Sequence, residues 1–335
     1  MAKKPTTRQS KHTLSIKQQT TVSENRTKRI AELQQAGAIK ATVISHMGFT
    51  VIVQTASDAP LLPCDWRQHI GAICAGDEVL ITQIDGQTPV IEAILPRRTV
   101  IEKQNTYRGA KPFAANLDQL VVVITHTPMF QTSLLDRYLI TANHIGVDCL
   151  IFFNKTDILT DSDHIEHVER IRQIYAAIPR VTWVKGHTQS SDGLAALHTH
   201  LAGKTSVFAG QSGVGKSSLI NALIPDLAIQ TMSISDASGL GRHSTTNTTL
   251  YRLNANTTIL DTPGVRSFDT YHLDESIITK GFPDIAPFLG QCQFRDCSHQ
   301  HETDCALKNA VQAHKVSELR YNSFLQILAE VKAHD

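Results

Sequence analysis

The segment TSVFAGQSGVGKSSLINALI, Thr205 to Ile224, sets an apolar run, a glycine-rich turn and a helical repeat in immediate succession. Such a stretch needs a buried strand that feeds a helix across one tight turn, which restricts the chain to an open α/β sheet. Gly210, Gly213 and Gly215 let backbone N–H groups close around an anion with no Cβ in the way, and the following helix N-terminus adds favourable partial charge. The turn Gly210-Gln211-Ser212-Gly213-Val214-Gly215-Lys216-Ser217-Ser218 therefore reads as a phosphate-binding loop. Lys216 is placed to reach the β and γ phosphates of a nucleotide, and Ser217 to ligate Mg²⁺.

Two further stretches extend this reading downstream. TTILDTPGV puts Asp261 at the end of a strand, 51 residues after Gly210, where its carboxylate can hold the magnesium shell and the Gly264 N–H can meet the γ-phosphate. Between the two lies SGLGRHSTTNTTLY, a polar segment dense in hydroxyls, as expected of a loop ordered by γ-phosphate and metal. Thr246 is the expected second metal-binding hydroxyl, with Thr245 the alternative. Val265 follows Gly264, where Ras-type enzymes carry a water-orienting glutamine; His243 is the local polar candidate for that task, with the backbone or a bound partner as the other sources.

The base-reading element lies upstream instead. Asn154-Lys155-Thr156-Asp157 ends the apolar run CLIFF. An aspartate there accepts hydrogen bonds from guanine N1–H and N2–H₂, donors that adenine does not present in that geometry. Asn154 is expected to brace the loop and Lys155 to cover the base. The chain thus visits base loop, phosphate loop, threonine loop and DTPG in a rotated order, that of a circularly permuted GTPase. Sheet order rather than chain order places the ligand, at the carboxyl ends of the strands.

Strands are expected at Leu120–Thr125, Cys149–Phe153, Val181–Val184, Thr205–Ala209 and Thr257–Leu260. Helical faces lie between them, one ending at Gly146 and another at Pro179. Alternation of this kind predicts a mostly parallel sheet covered on both sides. Residues 37–105 read instead as short strands broken by Gly, Asp and Pro, which suits a small β-barrel. Residues 106–272 form the nucleotide-binding unit and 273–335 a small, mostly helical one.

Residues 1–30 hold eight Lys/Arg and one Glu, although the whole chain carries a net charge of +1. This leader, residues 1–36, is expected to be disordered, and its charge suits nucleic acid. Apolar content of 41% is ordinary, and the longest apolar runs fall far short of the roughly 20 residues a membrane span needs. A cytoplasmic location and no membrane partner are expected. Of six cysteines, Cys292, Cys297 and Cys305 crowd together with His299, and His301 competes with it. Four such ligands in a short span suit one structural Zn²⁺.

Together NKTD, GQSGVGKSSLIN, GLGRHSTT, DTPGVRSF and the Cys/His cluster closely resemble the ribosome small-subunit-dependent GTPase A family (RsgA, or YjeQ) over nearly the whole chain after the leader. The resemblance implies an N-terminal OB-fold, a permuted GTPase domain and a C-terminal zinc domain. It also implies late maturation of the small ribosomal subunit, with rRNA, ribosomal proteins and GTP or GDP as partners, stimulation of hydrolysis by the subunit, and a monomer. One departure is VKGHTQSSDGL from Val184, where Lys185 and Gly186 stand in place of the family's small polar pair near guanine. The competing readings are an ATPase or kinase with an incidental NKTD, and an RNA-binding adapter that holds GTP as a structural ligand.

Overall fold

A computed structural model describes residues 16–105, 109–224, 226–238, 248–262 and 273–334. The first element is a helix, α1 (Ile16–Gln35), which corrects the expectation of disorder over the part of the leader that is described. The physical reason is a docking surface: Ile30 and Leu33 pack against Leu80 and Ala93 of the barrel, and Arg26 donates to the Ile94 carbonyl at 2.7 Å. Arg29 lies 3.7 Å from Glu92, so part of the basic charge is engaged within the protein.

The barrel consists of β1 (Ile39–Met47), β2 (Thr50–Gln54), β3 (Leu62–Trp66), β4 (Glu78–Thr82) and β5 (Val90–Ile94). Their order is β1-β2-β3-β5-β4, and pairing of β4 with β1 closes it. Val43, Val51, Val53, Ile81 and Ile91 fill the interior, all at 0% exposure, as the alternation of apolar residues along β1 and β2 requires. β6 (Val100–Asn105) and β7 (Gly109–Ala115) pair as an antiparallel hairpin, so the boundary drawn at 105/106 falls between two partnered strands. Arg97 fixes this junction through two hydrogen bonds to the buried Asp77 carboxylate, at 2.7 and 2.9 Å.

The nucleotide-binding unit follows as β8 (Gln119–Ile124), α2 (Thr132–Ile145), β9 (Asp148–Phe153), α3 (Ser162–Ala176), β10 (Val181–Lys185), α4 (Ser191–Leu201), β11 (Thr205–Ala209), α5 (Lys216–Leu223), α6 (Leu227–Ser238), β12 (Thr249–Asn254) and β13 (Thr257–Asp261). Sheet order is β10-β9-β8-β11-β13-β12, parallel except for β12. Every residue of β8 is buried, as a strand covered on both faces demands. The five expected strands lie within one residue of their places. Strand β12 was not foreseen; it bonds β13 on one side and meets β1 at Ser45 and Thr249, joining barrel and sheet.

The C-terminal unit contains α7 (Glu275–Lys280), α8 (Ala306–Gln312) and α9 (Glu318–His334). Its core of Ile278, Phe282, Phe324 and Ile327 continues into Ile140 of α2. A buried ion network clamps the two units: Arg320 of α9 donates to Asp136 of α2 and, at 3.0 and 2.8 Å, to Asp284. Tyr175 of α3 donates to the same Asp136 at 2.8 Å, and the guanidinium lies 4.2 Å from the centre of the Phe282 ring. Burial opposes the Arg320 charge, but Asp136 and Asp284 outweigh it and hold its pKa up.

Arg320→Met would leave Asp136 buried without its cation, at a cost of about 3–5 kcal/mol. Urea unfolding should give a free energy lower by that amount, seen as a reduced midpoint at unchanged slope; an unchanged midpoint would show that the network does not clamp the units.

Candidate nucleotide and metal sites

The base-reading loop, the phosphate loop and Asp261 lie at the carboxyl ends of β9, β11 and β13, with β8 between the first two strands. Strand β11 runs parallel to β8 on one side and β13 on the other, so the phosphate loop leaves the sheet between the β8 loop and Asp261. Gly210 (φ +143°) packs so tightly that a Cβ would lie 2.3 Å from the Val123 carbonyl oxygen. Gly215 (φ +92°) is equally constrained, since a Cβ there would lie 2.5 Å from Asn154 Nδ2.

Asn154 links the two motifs. Buried at the end of β9, it donates through Nδ2 to the Val214 carbonyl at 2.8 Å. Lys155, with left-handed backbone at φ +59°, sends Nζ to the Gly213 carbonyl at 2.7 Å and to the Thr127 carbonyl at 3.1 Å. Residues 60 positions apart in sequence therefore share one small volume. Thr156 and Asp157 begin a short 3₁₀ turn, in which Asp157 is exposed. The Thr156 N–H donates to the Gly186 carbonyl at 3.3 Å, while the Gly186 N–H is committed to the Phe153 carbonyl at 3.0 Å. The departure at Lys185-Gly186 thus leaves the loop braced by backbone, and the Gly186 amide is not the one left for a base.

Lys216 Nζ bonds the carbonyls of Gly210 at 2.6 Å and Gln211 at 3.1 Å, folding back over the loop it follows. Val214 is buried beneath, and Ser212, Ser217 and Ser218 are exposed on the open side. Burial raises the Asp261 pKa, with Lys216 the charge that opposes it. A half-buried carboxylate at the end of the strand beside the phosphate loop fits a hydrated divalent cation. Thr262 is anchored by its hydroxyl to the Phe208 carbonyl at 3.2 Å. His243, Thr245, Thr246, Gly264 and Val265 lie outside the described residues. Thr127, whose carbonyl holds Lys155, carried no signal in the sequence because a backbone oxygen does not depend on side-chain type.

The cysteine cluster forms a second centre. The ligand atoms of Cys292, Cys297, His299 and Cys305 lie within 4.8 Å of one another. Three separations are 3.5 Å (Cys292 Sγ to His299 Nδ1), 3.8 Å (Cys292 to Cys305 Sγ) and 3.4 Å (His299 Nδ1 to Cys305 Sγ). Ligands about 2.3 Å from a common tetrahedral centre stand about 3.8 Å apart, so the group can hold a metal ion. Burial disfavours the Cys292 thiolate, but the Ala306 and Leu307 amides and hydrogen bonds from Cys297 and Cys305 lower its pKa overall. Tyr321 of α9 donates to the His299 carbonyl at 2.6 Å and orients that ligand's backbone. His301 is exposed and stands outside the group.

The RsgA GTPase family model matches residues 94–271. A small ribosomal subunit biogenesis GTPase RsgA from Dichelobacter nodosus is 40% identical over 318 residues, covering 95% of this chain and 98% of that protein. The protein of the same name from Dickeya dadantii is 37% identical, covering 96% and 97%. The crystal structure of YjeQ from Thermotoga maritima superposes with a TM-score of 0.70 at 28% identity, covering 88% of this chain and 98% of that one. YloQ, described as a circularly permuted GTPase, gives 0.68 at 26%, covering 89% and 96%. With its permuted loops converging on one sheet edge and its barrel at the N-terminal side, the chain belongs to the RsgA GTPase family.

Proposed function

We propose that the protein binds the small ribosomal subunit during late maturation and hydrolyses GTP to GDP and phosphate with stimulation by that subunit. The observation that carries the reading is the Asn154 bond to the Val214 carbonyl, which makes a base-reading loop and a phosphate loop one site. The names of the relatives supply the ribosomal partner. No helix among the described residues is long and apolar enough to cross a membrane. The protein works as a cytoplasmic monomer, with the barrel at 37–105, the GTPase domain at 106–272 and the metal-binding unit at 273–335.

Asp157 reads guanine N1–H and N2–H₂, Lys155 covers the base, and Asn154 and Thr156 hold the loop. Residues Gly210 to Ser218 enclose the phosphates, with their N–H groups and the α5 N-terminus directed at the anion. Bound magnesium supplies charge neutralisation at the β and γ phosphates; Ser217, Thr246 and Asp261 are the residues that would hold it. The Gly264 amide meets the γ-phosphate, and His243 orients the attacking water. The cysteine cluster takes one structural Zn²⁺ through Cys292, Cys297, His299 and Cys305, which contributes much of the stability of a unit too small for a large core.

Multiple-turnover GTP hydrolysis should be slow for the protein alone, rise strongly with small subunits and remain low with large ones. His243→Ala should keep nucleotide and subunit binding but lose most of the stimulated rate. No stimulation by small subunits would overturn the partner assignment, and wild-type stimulated turnover in the variant would assign the water to another group.

Asp157→Asn should move nucleotide preference from guanine toward xanthine, because the swapped amide meets a second carbonyl where it cannot accept from N2–H₂. A built site of this kind discriminates by roughly 10⁴-fold. Competition between GDP and XDP measures the change, and unaltered preference for GDP would show that Asp157 does not read the base.

Elemental analysis of protein purified without added metal should give about one zinc per chain, and Cys305→Ser should abolish it. Equal zinc content in the two proteins would remove the site.

A further inference from the structure

A cleft of about 520 Å³ opens between the barrel and the nucleotide-binding sheet, away from both centres described above. Its apolar walls are Ile44 and Leu61 from the barrel side and Ile234 of α6 and Leu250 of β12 from the other. Arg252 of β12 also lines it, and is only partly exposed.

Among the described residues, Arg252 is held by neutral groups alone. Gln230 of α6 brackets its backbone, accepting from the N–H at 3.1 Å and donating to the carbonyl at 2.9 Å. Gln54 Oε1 accepts from Arg252 Nε at 2.7 Å, and the Gln54 amide is itself tied to the Ala59 carbonyl at 2.7 Å. Among the described residues no carboxylate pairs with this guanidinium. Other arginines in partly or fully buried settings, Arg97, Arg137 and Arg320, each meet one. A half-buried cation with its terminal nitrogens unmatched costs stability, and an anion from outside would relieve that cost. Burial also lowers the Arg252 pKa, the expected response to an uncompensated charge.

We propose that this cleft is a second ligand site, taking a small organic anion whose single phosphate or carboxylate sits on Arg252 and whose apolar body lies between Ile44, Leu61, Ile234 and Leu250. The volume falls in the range of small-molecule sites, and domain seams are where such sites concentrate. An RNA strand matches it less well, because a polyanion is met by a row of cations and, among the described residues, this cleft offers one, beside neutral polar and apolar groups. The occupant would touch the barrel together with α6 and β12, the two elements that flank residues 239–247 in the chain. Occupancy would then bear on the barrel and on the elements beside the threonine loop at once.

The test uses the full chain saturated with GDP, so that the nucleotide site is filled. Phenyl phosphate, inorganic phosphate, benzamide and a short oligouridylate are titrated by calorimetry. Phenyl phosphate should bind at least about tenfold more tightly than inorganic phosphate or benzamide, as expected when charge and apolar body both contribute. Arg252→Gln should weaken it about tenfold or more, Arg252→Lys should retain part of the affinity, and Ile234→Trp, which fills the cleft, should remove it. Thermal unfolding of each variant establishes that it is folded. Failure of the wild type to bind phenyl phosphate, or equal binding by Arg252→Gln, would overturn the proposal. Oligouridylate binding that depends on Arg252 in the absence of phenyl phosphate binding would assign the cleft to RNA instead.

Discussion

The nucleotide site depends on one short hydrogen bond, from the buried Asn154 amide to the Val214 carbonyl. It turns the phosphate loop and the base-reading loop into a single rigid edge, although each is carried by its own strand. The same contact explains a glycine: the Asn154 amide occupies the space that a Cβ on Gly215 would need, so only glycine admits both loops at this distance. Lys155 adds a second tie to Gly213. Pre-organisation of this kind spares the nucleotide the cost of ordering two loops when it binds.

Circular permutation leaves this geometry untouched. A parallel sheet positions ligands by strand adjacency, and β9, β8, β11 and β13 stand side by side in whatever order the chain visits them. What permutation changes is the mechanical connection. The segment after Asp261 now leads into the C-terminal unit, which is clamped to α2 and α3 through Arg320, Asp136 and Tyr175. The barrel is coupled at the opposite side, where β1 meets β12 beyond residues 239–247. The barrel therefore contacts the strand that follows residues 239–247, and the C-terminal unit begins directly after residues 263–272 in the chain.

Much of this was legible in the sequence because the informative residues act through side-chain type or its absence. Glycine spacing, NKTD and the cysteine cluster are of that sort, and so are the strands from Leu120 to Leu260, whose apolar runs a buried parallel sheet requires. The features that escaped act through backbone or partner surface. Helix α1 carries too few apolar residues to announce itself, yet Ile30 and Leu33 suffice once the barrel offers Leu80 and Ala93. Thr127 contributes a carbonyl, and β12, with its polar Arg252 and Asn254, is polar enough to pass for part of a loop until it pairs with β13. That His299 rather than His301 stands beside the three cysteines is a matter of geometry that the sequence does not carry, since both imidazoles have the same chemistry.

The central claim is that motifs separated in the chain form one guanine-nucleotide site, and amide hydrogen exchange with and without GDP tests it most directly. GDP should slow exchange together at residues 154–158 and 210–218, because one ligand closes both loops. Protection confined to 210–218, with 154–158 unchanged, would contradict the account.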